Sequence, residues 1–245
     1  MEDYPNNPNY KIIENLGQGD FVSSYKVLNK NNNDTCIIKK IKFKDAKSDE
    51  IKELQNEANI LSSIDNDHIL KYYDSFSDNE SFNIVMEYCD GLNLRSYINE
   101  HKETNKLIEK HLIYHIISDI CKGLKEIHNK KLIHRDLRPS NLFLTGDLKV
   151  KIGNFGIAKR LNYINEYSKT KVDSMLYMPP EILYGGNYND KVDIWSLGCI
   201  IHELCTLNNS FESKSINEFL SKMIELKHEK INETFYGTDL QNLLI

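Results

Sequence analysis

Apolar and polar residues alternate from early in the chain: Ile12, Glu14 and Leu16 lead into Gly17, and Tyr25 and Val27 resume the pattern beyond it. Successive strand residues face opposite sides of a sheet, so this period of two predicts a hairpin closed by a glycine-containing turn. The polar stretch from Leu28 to Thr35, with Asn31-Asn32-Asn33 as a turn, separates it from a third strand, Cys36-Ile37-Ile38-Lys39-Lys40-Ile41. The period then changes. Leu54, Glu57, Ala58 and Leu61 recur at helical spacing, which predicts a helix that points Glu57 inward with its apolar contacts. Ile69 to Phe76 and Phe82 to Tyr88 read as another strand pair, and Cys89-Asp90-Gly91 breaks the pattern before a helical stretch from Leu94. From Ile108 to His128, the spacing of Leu112, Ile116, Ile120, Leu124 and Ile127 predicts one long amphipathic helix, and the second half is mostly helical. No internal repeat is visible.

Composition narrows the choice of class. With 245 residues, 40% of them hydrophobic and 27% charged, the chain can bury a sizeable core as one unit or two closely coupled lobes. No apolar stretch approaches the span of a bilayer helix, and the polar run Met1 to Tyr10 is unlike a secretory signal. The expected placement is therefore inside the cell, in cytoplasm or nucleus, with no membrane partner. The five cysteines, Cys36, Cys89, Cys121, Cys199 and Cys205, have no C-x-x-C spacing and are odd in number, so buried free thiols are expected over disulfides or zinc. A net charge of -5 argues against a nucleic-acid partner, and the basic run Lys39 to Lys47 reads as a solvated strand end and loop. Oligomeric state leaves no mark on the sequence.

The segment richest in chemistry is His134-Arg135-Asp136-Leu137-Arg138-Pro139-Ser140-Asn141, directly after the long helix. Its aspartate can accept a hydroxyl proton, and the asparagine five residues on can supply a neutral oxygen to a magnesium ion. Alone, such an octapeptide also fits an ordinary loop with a buried histidine. Other pieces accompany it in order. Gly17-x-Gly19-x-Phe21-Val22 follows a strand, Lys39 ends an apolar strand, and Glu57 lies on the next helix. Asn154-Phe155-Gly156 stands between a strand and a long loop, which Pro180-Glu181 closes. This ordered set resembles eukaryotic protein kinases over nearly the whole chain. Within that family, Ile84 to Cys89, Ile133 to Leu144, Val150 to Lys159 and Asp193 to Thr206 resemble the NIMA-related serine/threonine branch.

The resemblance implies a two-lobed α+β fold. A small antiparallel β-sheet lobe with one helix is expected over residues 1–89, and a mainly helical large lobe over 90–245. It also implies ATP and Mg2+ as cofactors and a protein Ser/Thr hydroxyl as acceptor. In this reading Gly17 and Gly19 bring backbone N–H groups close to the phosphates, Lys39 supplies positive charge, and Glu57 holds that ammonium. Met86 guards the back of the adenine pocket, and Glu87 to Cys89 form the hinge. Asp136 is the base, Arg138 carries the charge near the transferred phosphate, and Asn141 and Asn154 are the metal ligands. These groups are expected to converge around one triphosphate between the lobes. Thr170 falls where relatives carry a regulatory phosphothreonine, set by an upstream kinase and paired with Arg135; an unmodified surface threonine is the alternative. Ser174 and Pro139 fit serine/threonine specificity.

Several positions depart from the family pattern. Asn154 replaces the metal-binding aspartate, Arg138 the usual lysine, and Val22 the third glycine of the phosphate turn. Ile37, on the Lys39 face of its strand, takes the place of a small alanine and narrows the expected adenine pocket. Asp173 and Met175 replace the Gly and Pro that flank Ser174 in relatives. Against the family pattern the chain also stops early, at Leu243-Leu244-Ile245, so the large lobe is expected to lack its last helices and the arginine partner of Glu181. An apolar ending fits exposed core surface, a truncated gene model or a covering partner. Two functional readings follow: a serine/threonine kinase of weakened activity, or a pseudokinase that serves as a binding or scaffolding module.

Overall fold

The computed structural model describes residues 4–19, 22–42, 48–77, 81–154 and 175–243; side chains at 48–51, 53, 54 and 57 lie outside the description. The chain divides into two compact units, the first built on Met1–Asp90 and the second starting at Gly91.

The first unit is a five-stranded antiparallel sheet, β1 (Tyr10–Gln18), β2 (Val22–Asn29), β3 (Thr35–Lys42), β4 (Tyr72–Ser77) and β5 (Ser81–Glu87), in the order β1-β2-β3-β5-β4. Alternation does the sorting. Tyr25, Val27, Cys36, Ile38 and Val85 are buried together on one face, with Tyr10, Ile12 and Phe76 packed against them. Burying aliphatic side chains of this size stabilises by about 1.5–3 kcal/mol each. Tyr10 and Phe76 sit on opposite edge strands, yet their rings stack with centroids 6.3 Å apart, so the sheet curls strongly. The segment before β1 covers the same face: the Tyr4 ring meets Tyr25 edge-on at 5.6 Å, and Lys30 Nζ donates to the Pro8 carbonyl at 2.7 Å. Helix α1 (Ser48–Ser62) buries Ala58 and Leu61 and packs against β4. Strand β4 starts later than the hydrophobic run suggests. Asn66 turns the chain there, with its Oδ1 accepting from His68 N and its carbonyl from Ile69 N, so Ile69 and Leu70 are buried without joining the ladder.

In the second unit, α2 (Leu94–Glu103) is capped by Asn93, whose Oδ1 accepts from Ser96 N at 2.9 Å. Helix α3 (Lys110–Asn129) buries Ile113, Ile116, Ile120, Leu124 and Ile127; its stripe begins at Ile113, one position beyond the expected Leu112. A 3-10 turn (Pro139–Asn141) leads into the short ladder of β6 (Leu142–Leu144) and β7 (Val150–Ile152). Helix α4 (Pro180–Leu183) precedes α5 (Lys191–Thr206), which is buried on nearly every side, and α6 (Ile216–Ile224) follows. A helix apolar all round belongs in a core, so the charged residues α5 carries there need partners. No helix among the described residues is long and apolar enough to cross a membrane. The five cysteines are free thiols, and Cys36, Cys199 and Cys205 are buried as expected. Cys121 is exposed instead, because it lies off the apolar stripe of α3, and Cys89 is half-buried.

Candidate active site

The loop after α3 is built onto one buried carboxylate. Asp193, on the first turn of α5, is fully buried. Its Oδ1 accepts the Arg135 N–H at 3.0 Å, and its Oδ2 accepts the His134 N–H at 2.9 Å and His128 Nε2 at 2.8 Å. Arg135 adopts φ +65°, a left-handed conformation costing a residue with a Cβ about 1–2 kcal/mol. Hydrogen bonds to a charged acceptor contribute about 1.5–3 kcal/mol each, enough to hold it. Asp193 is thus a positioning residue that sequence reading named only as the start of a stretch, Asp193 to Thr206, resembling the family. The available signal was a carboxylate embedded in the apolar run Val192-Asp193-Ile194-Trp195.

His134 joins this loop to the end of β7. It is fully buried, its Nδ1 accepts the Asp136 N–H at 3.3 Å, and its Nε2 lies 3.0 Å from the Gly153 carbonyl. An acceptor at Nδ1 places the ring proton on Nε2, which therefore donates to Gly153. The Gly153 N–H in turn donates to the Asn141 carbonyl at 2.9 Å, extending the β6–β7 ladder by one step. Residues far apart in the loop and after the strand are brought side by side.

Four of the expected site residues meet at this junction. Asn141 Nδ2 donates to the Asp136 main-chain carbonyl at 2.7 Å and to its carboxylate Oδ2 at 3.1 Å. Arg138 Nε lies 3.5 Å from Asp136 Oδ1. Asn154, at φ +55°, donates from Nδ2 to Asn141 Oδ1 at 3.3 Å. Asparagine is among the residues that enter this backbone region most readily. As a donor set for a hard cation the group is of the right class, carboxylate and amide oxygens, but residue 154 brings no charge. Among the described residues no cluster of three or more His, Cys, Asp or Glu side chains is placed to hold a metal.

Beside the loop lies a cavity of about 250 Å³ lined by Arg95, Arg138, Pro139, Ser140, Leu176, Tyr177 and Asn209. Two of its lining residues, Arg95 and Tyr177, are held by a second buried carboxylate on α5, Glu203. Arg95 grips Glu203 with both guanidinium nitrogens, Nη1 at 2.5 Å and Nη2 at 3.1 Å, and the Tyr177 hydroxyl donates to the same carboxylate. Burial, then the Glu203 charge, push the Tyr177 phenol far above its ordinary range, so it stays a donor.

In the first unit, strand register decides which candidates share a face. Lys39 pairs with Ser24 and Ile84, Ile37 with Lys26 and Met86, and Val22 with Ile41. Paired residues project to the same side, so Val22, Ile37, Lys39 and Met86 stand together on the face opposite the Tyr25–Val85 cluster. Glu87 ends β5 with its N–H on the Lys71 carbonyl at 2.8 Å, and half-buried Cys89 follows. Gly19 closes the β1–β2 turn through its N–H to the Val22 carbonyl at 2.9 Å, and a Cβ there would come within 3.1 Å of that oxygen. At Gly17 a Cβ would meet nothing. The Glu57 side chain, Phe155, Gly156, Thr170, Asp173 and Ser174 lie outside the described residues.

The protein kinase domain family matches residues 10–242, and the chain belongs to that family. It is 35% identical over 236 residues to serine/threonine-protein kinase Nek5 of Homo sapiens, covering 96% of this chain and 33% of that protein. It is 34% identical over 235 residues to Nek1 of Mus musculus, covering 96% and 19%, and 33% identical over 229 residues to Nek2 of Homo sapiens, covering 91% and 52%. These relatives are NIMA-related serine/threonine kinases, and the chain spans between 19% and 52% of their lengths. Protein kinases generally use ATP and Mg2+. The two-lobed α+β expectation agrees with the family and with the five-stranded antiparallel sheet.

Proposed function

We propose that this chain transfers the γ-phosphate of ATP to serine or threonine hydroxyls of proteins, at a reduced rate. The observation that carries the reading is the state of Asp136: a carboxylate held at one oxygen by Asn141 and approached at the other by Arg138, in a loop anchored on Asp193. A carboxylate so fixed can take the proton of an incoming hydroxyl, and the Arg138 guanidinium offers charge to the phosphoryl oxygens. Val22, Ile37, Lys39 and Met86 on one sheet face support a nucleotide site in the first unit, with Gly17 and Gly19 at its turn and Glu87 to Cys89 as its hinge. Glu57 is assigned the Lys39 partner role by family resemblance alone.

A magnesium ion would supply charge neutralisation on the phosphates, with Asn141 and Asn154 as its oxygen ligands. The neutral amide at 154 is why the rate is lowered. A unit charge about 4 Å from another contributes about 4 kcal/mol at an effective dielectric near 20, and losing that from the transition state slows transfer roughly a thousandfold. Thr170 as a phosphorylation site for an upstream kinase, read by Arg135, and Ser174 as a contact to the acceptor residue complete the proposal.

The Asn154–Asn141 bond also favours a second reading, a pseudokinase that binds partners without chemistry. Phosphate transfer from labelled ATP to a generic protein substrate decides between them. The expected result is slow transfer to serine and threonine by the wild type, reduced a further 100-fold or more (about 10²–10⁴) in Asp136→Asn. No transfer by the wild type, or transfer indifferent to Asp136→Asn, contradicts the kinase reading.

A further inference from the structure

The side-chain amide of Asn141 is oriented by its two acceptors on Asp136, at 2.7 and 3.1 Å, and this turns its Oδ1 toward residue 154. A carbonyl oxygen has no proton to give, so whatever faces it must be a donor or must share a cation with it. At neutral pH an aspartate at 154 would set a carboxylate oxygen against Oδ1 and need a cation between them. Asparagine removes that need: its Nδ2 donates across the gap at 3.3 Å. The result is a continuous relay, Asn154 to Asn141 to Asp136, in which both ends of the Asn141 amide are partnered and no ion is required.

We propose that Asn154 is a positioning residue that stands in for a divalent cation, tying the end of β7 to the catalytic loop so that Asp136 is held in place in the metal-free chain. Divalent ions then add nothing to the order of this loop in the nucleotide-free chain, and an ion arriving with ATP has to break the Asn154–Asn141 bond before both amide oxygens can face it, so the coordination gained is offset by the bond lost. The bridge itself stands on the amide geometry; only its consequence for nucleotide binding rests on the kinase reading. Both Asn and Asp enter the left-handed backbone region at position 154 with ease, so Asn154→Asp isolates the donor from the backbone.

The test is the thermal unfolding of the full chain without nucleotide, in excess chelator and in excess magnesium. The wild-type midpoint is expected to be the same in both. Asn154→Asp is expected to melt about 2–4 °C lower in chelator, the shift set by one lost hydrogen bond in a chain this size, and to recover with magnesium. A wild type that gains as much from magnesium as the variant overturns the proposal, and so does a variant indifferent to chelation. If Asn154→Asp fails to fold, Asn154→Gly, which also enters the left-handed region freely, takes its place: a fall of similar size that magnesium does not repair supports the bridge, and a wild-type midpoint contradicts it. Calorimetric titration with ATP gives a separate reading. Wild-type affinity is expected to change less than twofold on chelation, and a tenfold loss counts against the proposal. No ATP binding in either condition would overturn the kinase reading, and the melting comparison would still decide the bridge.

Discussion

The two ends of the loop from His134 to Asn141 are fastened by opposite means. At the His134 end a full negative charge, buried on Asp193, gathers two backbone N–H groups and an imidazole. At the Asn141 end, two neutral amides and the partly exposed Asp136 hold one another. The difference separates shape from charge. A charge fixes the backbone at one end, whereas at the other a neutral amide makes the contact, and in the proposed kinase reading that amide stands where a charge would meet the metal.

The largest effect is expected where the anchoring charge is removed. Asp193→Ala removes the shared acceptor of the His134 and Arg135 N–H groups and His128 and should lower stability by about 3–5 kcal/mol, read by urea denaturation. Near-native stability would show that the His134 end is held by something other than the carboxylate, and the contrast between the two ends would collapse.

A smaller effect sharpens the picture of α5 as a scaffold whose buried polar residues have partners. His202 is buried, with Nε2 2.8 Å from the Glu229 carbonyl. Burial lowers its pKa, the Glu229 carbonyl opposes that, and the nearby His228 adds to it. With the folded value below the unfolded value near 6.5, the unfolded chain takes the proton first. Stability is therefore fully present above about pH 6.5 and is lost as pH falls toward the folded value. Melting midpoints between about pH 7 and 5 should decline more steeply for the wild type than for His202→Gln; equal slopes would remove His202 from the account.

Sequence reading reached those parts of the molecule whose causes are local. The alternation of Tyr25 and Val27, and of Cys36 and Ile38, places a buried face without reference to anything distant. Asn141 meets Asp136 across five positions of the loop, whereas His134 reaches beyond it to Gly153, nineteen positions on and past β7. The anchoring by Asp193 spans 59 positions and the Arg95–Glu203 pair 108, and no period or motif connects residues so far apart. Likewise the Tyr10–Phe76 stack exists only because the sheet curls, and β4 starts late because Asn66 makes its own turn. Asn154 was visible as a departure, but its partner was not, since the direction of the Asn141 amide is set by bonds that only coordinates reveal.

The most direct test of a site that keeps its geometry and lacks one charge is the single-turnover rate of phosphate transfer at saturating ATP and magnesium, wild type against Asn154→Asp. Restoring the carboxylate should raise the rate by one to three orders of magnitude, up to roughly a thousandfold. A rate unchanged or lowered in a folded Asn154→Asp chain would mean that the missing charge is not what limits this site.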